Sequence, residues 1–141
     1  MGATPSPDSL QCLAGWPRTK LTCLPTPLHP LPRLSAKFAG PEIWIKRDDL
    51  SGLAGGGNKT RKLEFVVADA LQVRASVLVT VGAVDSNHTR QTAAAAAKVG
   101  LDCVLLHNNW VPASGSYYNL VGNVLLSDLL GAQLYYDGPT A

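Results

Sequence analysis

The chain has 141 residues, enough for one domain with its own core, and 46% hydrophobic with 16% charged residues is the balance of an ordinary globular α/β protein. A formal net charge of +2 is too small to favour nucleic acid as a partner. No stretch is apolar over the length that a membrane span needs, and three cysteines without a C-x-x-C pair favour neither a disulfide framework nor a metal site.

The N-terminal segment differs in composition from the rest of the chain. Residues 1–41 hold most of the ten prolines and show no helical periodicity, so we expect an irregular arm there and one α/β domain over residues 42–141. No charged start precedes an apolar core, so a secretory signal is not expected. The arm is basic, as organelle-import peptides are, although its prolines oppose their amphipathic helix. We therefore expect a cytoplasmic protein, with organelle import left open.

Beyond the arm, predicted strands alternate with predicted helices. Strands are predicted at about residues 43–46, 77–81, 103–107 and 133–136, and helices at about residues 60–71, 89–99 and 119–130. Gly100 and Gly131 follow two of the helices, where glycine adopts the left-handed conformation that ends a helix. Alanines at residues 93–97 form a small helix face suited to close packing on a sheet. The alternation predicts a parallel sheet with flanking helices, whose apolar strands lie exposed wherever covering layers are absent.

A glycine-rich loop ending in a lysine lies between the first strand and the first helix. Residues 52–64 read GLAGGGNKTRKLE. Glycines let the backbone approach a bulky anion, and the free N–H groups of a helix start attract negative charge, so Lys59 is a candidate for holding an anionic cofactor. A phosphate-binding P-loop needs its lysine directly after the last glycine, whereas Asn58 intervenes here. A nucleotide site is therefore disfavoured, and a loop with a solvated lysine is the plain alternative.

A second polar turn follows the next strand. Residues 77–91 read VLVTVGAVDSNHTRQ, an apolar β-branched strand that runs into a polar cluster. We expect Ser86 or Asn87 to cap the following helix, and their polar groups with the free N–H groups behind them suit a carboxylate. An ordinary capping turn is the alternative. The histidines His29, His88 and His107 are scattered, so no metal site is expected.

Three segments together carry a family resemblance: IWIKRDD at residues 43–49, GGNKTRKLE at residues 56–64 and SNHTRQTAA at residues 86–94. In this order they resemble the D-cysteine desulfhydrase and 1-aminocyclopropane-1-carboxylate deaminase family, which are pyridoxal-phosphate enzymes of the tryptophan-synthase-β type. The resemblance runs from about Pro25 to about Tyr136. It implies the α/β fold of fold-type II pyridoxal-phosphate enzymes. Because the family's chains are considerably longer, we expect only the N-terminal part of that fold, shortened at the C-terminus.

The resemblance also implies roles for individual residues. Lys59 would bind pyridoxal 5'-phosphate covalently, with Asn58 beside it, and Asn87 would hydrogen-bond the phenolic oxygen of the cofactor ring. Ser86 would act on the substrate, and the backbone around Ser86, Asn87 and His88 would hold the substrate carboxylate. The implied reaction is the β-elimination of D-cysteine to pyruvate, hydrogen sulfide and ammonia, with Lys59 taking the α-proton.

Several alternatives stay open at this point. The substrate is a small amino acid, for which 1-aminocyclopropane-1-carboxylate and cysteate compete with D-cysteine, and a full-length member is expected to form a homodimer. A non-catalytic fragment is the alternative from another class, since activity of 141 residues alone is not implied. Asp85 stands where family members commonly carry glutamine, and its charge opposes a substrate carboxylate unless it pairs with Arg90 or lies in solvent. Arg61 and Lys62 are candidates for the nearby cationic groups that would favour the neutral amine of Lys59.

Overall fold

The computed structural model describes residues 12–109 and 120–137. Its strands are β1 (Leu28–Pro30), β2 (Trp44–Lys46), β3 (Val77–Ala83), β4 (Asp102–Asn108) and β5 (Gln133–Asp137). Its helices are α1 (Pro32–Phe38), α2 (Thr60–Gln72), α3 (Asn87–Val99) and α4 (Gly122–Leu129), and single 3-10 turns lie at Asp48–Leu50 and Leu53–Gly55. β1 and β2 form an antiparallel pair, while β3, β4 and β5 form a parallel sheet in chain order.

The parallel sheet brings three strand ends to one edge. β3 pairs with β4 from Val77 opposite Asp102 to Ala83 opposite Asn108, and β5 continues on the other side of β4. Ligands in open α/β sheets usually bind beyond these carboxyl ends. The predicted α/β class is confirmed, and the predicted elements differ from the observed ones by only one or two residues at most ends. The predicted start of the last helix, residue 119, lies outside the described residues.

Helix α3 packs on the sheet through its alanines. Residues 93–96 are buried, and the fully buried Leu105 of β4 belongs to the same core. Because alanine extends only a methyl group from the backbone, the helix lies close to the strands. The small helix face predicted from the sequence is therefore confirmed for these four residues, while Ala97 is exposed.

The N-terminal segment has more regular structure than an irregular arm. β1 and α1 lie within it, and β1 pairs with β2. Helix α1 has seven residues, starts at Pro32 and buries none of them, so no apolar periodicity indicates it in the sequence. The segment is attached to α2, where the carboxylate of Glu64 accepts the N–H of Leu21 at 2.9 Å and of Thr22 at 2.7 Å. The division into an arm and a domain stays a prediction.

One face of the parallel sheet is apolar and exposed. Val79 is 70% exposed and Val81 46%, and the register places Leu106 and Tyr135 beside Val81 on the same face. The opposite face, which includes Leu105, is buried under α3. Parallel sheets are ordinarily covered on both faces. The described residues therefore cover one side of this sheet with helix and leave the other side apolar and open, as the sequence predicts where a covering layer is absent.

Candidate functional site

Gly56 and Gly57 of the glycine-rich loop lie too close to their neighbours to carry a side chain. Gly56 has a φ of 79°, and a Cβ there would lie 1.8 Å from the backbone oxygen of Asp49. Gly57 has a φ of 139°, and a Cβ there would lie 2.4 Å from the side-chain nitrogen of Gln91. Left-handed backbone and close approach together require glycine at both positions. The loop therefore folds tightly before Lys59.

Lys59 is half-buried at the N-terminal end of α2. Its backbone N–H donates to Oε1 of Gln91 at 3.1 Å, and the N–H of Thr60 donates to the same oxygen, also at 3.1 Å. The first N–H groups of a helix have no partner within the helix. A side chain from α3 therefore holds the turn that carries the lysine.

Of the two cationic neighbours of Lys59, Arg61 is already paired. Its Nη2 donates to Oδ1 of Asp48 at 2.7 Å and its Nε to Oδ2 at 3.2 Å. The Arg61 guanidinium holds the pKa of the Asp48 carboxyl below its ordinary value. Lys62 is exposed. The charge of Arg61 is therefore offset by a carboxylate, so Arg61 is a weaker candidate than the sequence indicates for favouring the neutral amine of Lys59.

The turn after β3 forms the N-cap of α3. Ser86 has an extended backbone, and its Oγ accepts the N–H of His88 at 3.1 Å, which confirms the predicted cap. Gly82 makes room for this turn, since a Cβ there would lie 2.9 Å from Oγ of Ser86 and 2.9 Å from the Thr89 methyl carbon. A hydroxyl that accepts one hydrogen bond still carries its own O–H donor. Ser86 therefore closes the end of the strand and offers a polar group there.

Asn58 and Asn87 join the two turns. Nδ2 of Asn87 donates to Oδ1 of Asn58 at 3.2 Å, across 29 positions of sequence. A second connection runs through Gln91, whose Nε2 donates to the backbone oxygen of Asn87 at 2.9 Å. The fold thus brings Asn58 and Lys59 next to Ser86 and Asn87.

His88 reaches the turn through its backbone, while its ring lies against β3. Nε2 of the ring is 2.9 Å from Oγ1 of Thr80, and Nδ1 is 3.5 Å from Oγ1 of Thr92. The ring lines a cavity of about 250 Å³ together with Lys62. Burial lowers the pKa of His88, and the positive charges of Lys62 and Lys59 lower it further. Both effects favour the neutral form of the imidazole, which is hydrogen-bonded to Thr80 of β3.

Asp85 turns towards α4. Its Oδ1 accepts the N–H of Asn123 at 3.0 Å, and its backbone oxygen accepts from Nδ2 of Asn123 at 3.0 Å. The N-terminal end of a helix favours negative charge. In place of the salt bridge considered from the sequence, Arg90 donates to the backbone oxygens of Ala54 and Gly56. Asp85 therefore forms no salt bridge with Arg90. Its side chain is exposed, but it is hydrogen-bonded to the start of α4.

Sequence reasoning missed Arg90 and Gln91, two polar residues that hold the glycine-rich loop. Arg90 is 7% exposed and Gln91 is completely buried. Burial lowers the pKa of Arg90, and the nearby charge of Asp85 acts in the opposite direction. Buried polar side chains are almost always hydrogen-bonded. Their place on the same helix, two and three positions before the alanine run at residues 93–97, is a signal in the sequence that they are buried.

Three further features considered from the sequence are a metal site, a membrane span and the cysteines. Within residues 12–109 and 120–137, no group of three or more His, Cys, Asp or Glu side chains is placed to hold a metal ion. In this same part of the chain, no helix has the length and apolar character to cross a membrane. Cys103 on β4 is buried, and burial raises the pKa of its thiol to about 11. It packs as a small apolar side chain within the hydrophobic core.

Known proteins match nearly the whole chain. A family model described as pyridoxal-phosphate dependent enzyme matches residues 19–140. A 1-aminocyclopropane-1-carboxylate deaminase of Variovorax paradoxus is 50% identical over 127 residues, and a D-cysteine desulfhydrase of Salmonella paratyphi B is 54% identical over 125 residues. Each match covers 89% of this chain and 38% of the relative.

A solved structure agrees with these relatives. The crystal structure of an ACC deaminase homologue superposes with a TM-score of 0.82 at 41% identity, over 96% of this chain and 39% of that one. The two proteins are therefore similar in sequence as well as in fold. The chain therefore spans about two fifths of the length of the proteins that it matches.

Proposed function

Because the chain belongs to the family of pyridoxal-phosphate dependent enzymes, we propose that it supplies the cofactor lysine of a lyase acting on a small amino acid. D-cysteine is the leading substrate. In the proposed β-elimination, D-cysteine and one water give pyruvate, hydrogen sulfide and ammonia. The 54% identity with a D-cysteine desulfhydrase supports this choice.

The observation that carries the proposal is the contact between the two turns at Asn58 and Asn87. One turn presents Lys59 at the start of α2, and the other presents Ser86 at the start of α3. Lys59, which carries the amine, is thus next in sequence to one of two bonded side-chain amides, and the other amide lies at the N-terminus of α3. This set of groups suits a ligand that combines an aldehyde, a phenolic oxygen and a carboxylate.

The residues at this contact fit pyridoxal phosphate. The side-chain amide of Asn87 has two N–H groups, and one bond to Asn58 leaves the second as a donor for the ring oxygen. Gly56 and Gly57 let the loop fold tightly against Asp49 and Gln91 directly before Asn58 and Lys59. When bound, pyridoxal phosphate supplies an electron sink that makes the α-proton of an amino acid acidic.

Each residue then has a defined task. Lys59 would hold the cofactor through Nζ, and the same nitrogen, when free, would accept the α-proton of the substrate. The hydroxyl of Ser86 and the N–H groups at the start of α3 hold the substrate carboxylate. His88 contributes its backbone N–H to the cap that shapes this turn.

Deamination of 1-aminocyclopropane-1-carboxylate is the second candidate. It is favoured by the 50% identical deaminase and by the structural likeness to an ACC deaminase homologue. A chain that keeps the lysine site without turnover is the alternative from another class, because the match covers 38% of each relative. Sulfide release from D-cysteine and ammonia release from the cyclopropane amino acid separate the two reactions, and the alternative predicts neither product. A homodimeric state of the full-length form and a cytoplasmic location complete the proposal, and they are measured by sedimentation and by cell fractionation.

Covalent trapping tests the proposal without assuming a substrate. The purified chain is incubated with pyridoxal phosphate and reduced with borohydride, and the modified peptide is identified by mass spectrometry. We expect a single adduct on Lys59 that is absent from Lys59→Ala. The matched control Lys62→Ala removes an exposed lysine of the next turn and should keep the adduct. Labelling spread over several lysines, or no labelling, would refute a built lysine site in this chain.

A further inference from the structure

The side chain of Gln91 bonds to both turns of the proposed site at once. Its Oε1 accepts the N–H of Lys59 at 3.1 Å, the N–H of Thr60 at 3.1 Å and the Thr60 hydroxyl at 2.9 Å. Its Nε2 donates to the backbone oxygen of Asn87 at 2.9 Å. Gln91 is completely buried. One amide therefore connects the start of α2 with the start of α3.

Helix α2 obtains its cap from this side chain. The residue at its own cap position is Lys59, which makes no side-chain capping bond. The oxygen of Gln91 instead satisfies the N–H groups of Lys59 and Thr60, which have no partner inside the helix. Gly57 adds to the specificity, because any Cβ there would meet the Gln91 amide at 2.4 Å. The loop is shaped to admit the amide.

We infer that Gln91 is a positioning residue that sets the separation between Lys59 and the turn of Ser86 and Asn87. The inference rests on the proposed function, in which Lys59 holds the cofactor and Asn87 bonds its ring. Gln91 acts through the backbones of Lys59 and Asn87. Glutamine is required because one end of the group must accept hydrogen bonds while the other end donates one.

Three variants distinguish the effects of the accepting and donating ends of the Gln91 amide from the effect of a general loss of stability. Gln91→Glu keeps an acceptor for the N–H groups of Lys59 and Thr60 but, when ionised, has no donor for Asn87. Gln91→Ala removes both ends. Val67→Ala is the matched control, because it opens a cavity at a completely buried position on α2, about two turns beyond Lys59, and leaves the Gln91 bonds intact.

Hydrogen exchange of the cofactor-free chain gives the first readout. In Gln91→Ala we expect the amides of Lys59 and Thr60 to exchange at least about tenfold faster than in Val67→Ala, at urea concentrations where both variants are equally stable. In Gln91→Glu these amides should stay close to wild type. Equal exchange of the two amides in Gln91→Ala and Val67→Ala would overturn the inference.

Trapping at Lys59 gives the second readout. Both Gln91 variants should need about tenfold more pyridoxal phosphate for half-maximal labelling, whereas Val67→Ala should label like wild type. Wild-type labelling in Gln91→Ala would overturn the inference and leave the proposed function standing. If the wild-type chain itself is not labelled at Lys59, the proposed function fails, and the exchange experiment still decides whether Gln91 holds the turn.

Discussion

At the scale of single residues, Glu64 shows how a buried charge ties two segments together. It is 1% exposed, accepts the N–H groups of Leu21 and Thr22, and pairs with Arg18. Burial alone would raise the pKa of Glu64, but these donors outweigh burial and the pKa lies below its ordinary value. The folded state therefore favours the carboxylate. The resulting stabilisation is complete above the ordinary glutamate pKa and is lost as the pH falls through the lowered one.

Glu64→Gln should lower the free energy of unfolding by about 1–3 kcal/mol at pH 7, because an amide cannot accept all three bonds and turns a donor towards other donors. Urea unfolding measures this at pH 7 and again at pH 4. The wild-type chain should lose stability between these two pH values, and the variant should lose less. Glu42→Gln, at an exposed position, is the control and should keep the wild-type pH dependence. Equal midpoints for the two variants at pH 7 would contradict the role of Glu64.

At the scale of elements, two helices are capped from outside themselves. Ser86 caps its own helix α3, whereas α2 is capped by Gln91 and α4 by Asp85. The residue before α4, Val121, makes no side-chain capping bond. Asp85 directly precedes Ser86, so its bond to α4 also directs its charge towards a helix start. The caps at Gln91 and Asp85 thus connect α3 and its preceding turn with α2 and α4. They fix the two turns that carry the polar groups of the candidate site.

Asp85→Ala should lower the free energy of unfolding by about 0.5–2 kcal/mol, the usual cost of removing a helix cap. Asp85→Asn keeps an accepting oxygen and should lose less. Urea unfolding compares both with Asp69→Ala, which removes an exposed carboxylate from α2. The capping role would be wrong if Asp85→Ala unfolded at the same midpoint as Asp69→Ala.

At the scale of the whole molecule, the sheet has unequal faces. The alanine face of α3 covers one side, while Val79, Val81 and Tyr135 lie exposed on the other. Contiguous apolar patches of this kind associate with other surfaces in water. We therefore expect the isolated chain to self-associate through this face as its concentration rises.

Val79→Lys tests this expectation, because Val79 is 70% exposed and a lysine there would place a charge in the patch with little effect on the core. Light scattering across a concentration series should show weaker self-association for this variant. Leu129→Lys is the matched control, since Leu129 is 72% exposed on α4, which packs against α3 on the covered side of the sheet. If both substitutions changed the scattering equally, net charge rather than the sheet face would be responsible.

Local features of this chain were predictable from the sequence. The alternation of strands and helices, the cap at Ser86, and the glycines that follow α3 and α4 depend on residues a few positions apart. Gly100 has a φ of 76° and Gly131 a φ of 81°, both in the left-handed region. The family resemblance added roles for the candidate site residues, and those roles stay predictions.

Only the tertiary structure decided the contacts between segments that are distant in the sequence. Asn58 bonds Asn87 across 29 positions, Asp85 bonds Asn123 across 38, and Glu64 bonds Leu21 across 43. Each polar side chain has many potential partners in the sequence. Which partner it meets depends on how α2, α3 and the sheet pack to bury their apolar faces, and hydrophobic packing is set by the whole fold and not by any short segment.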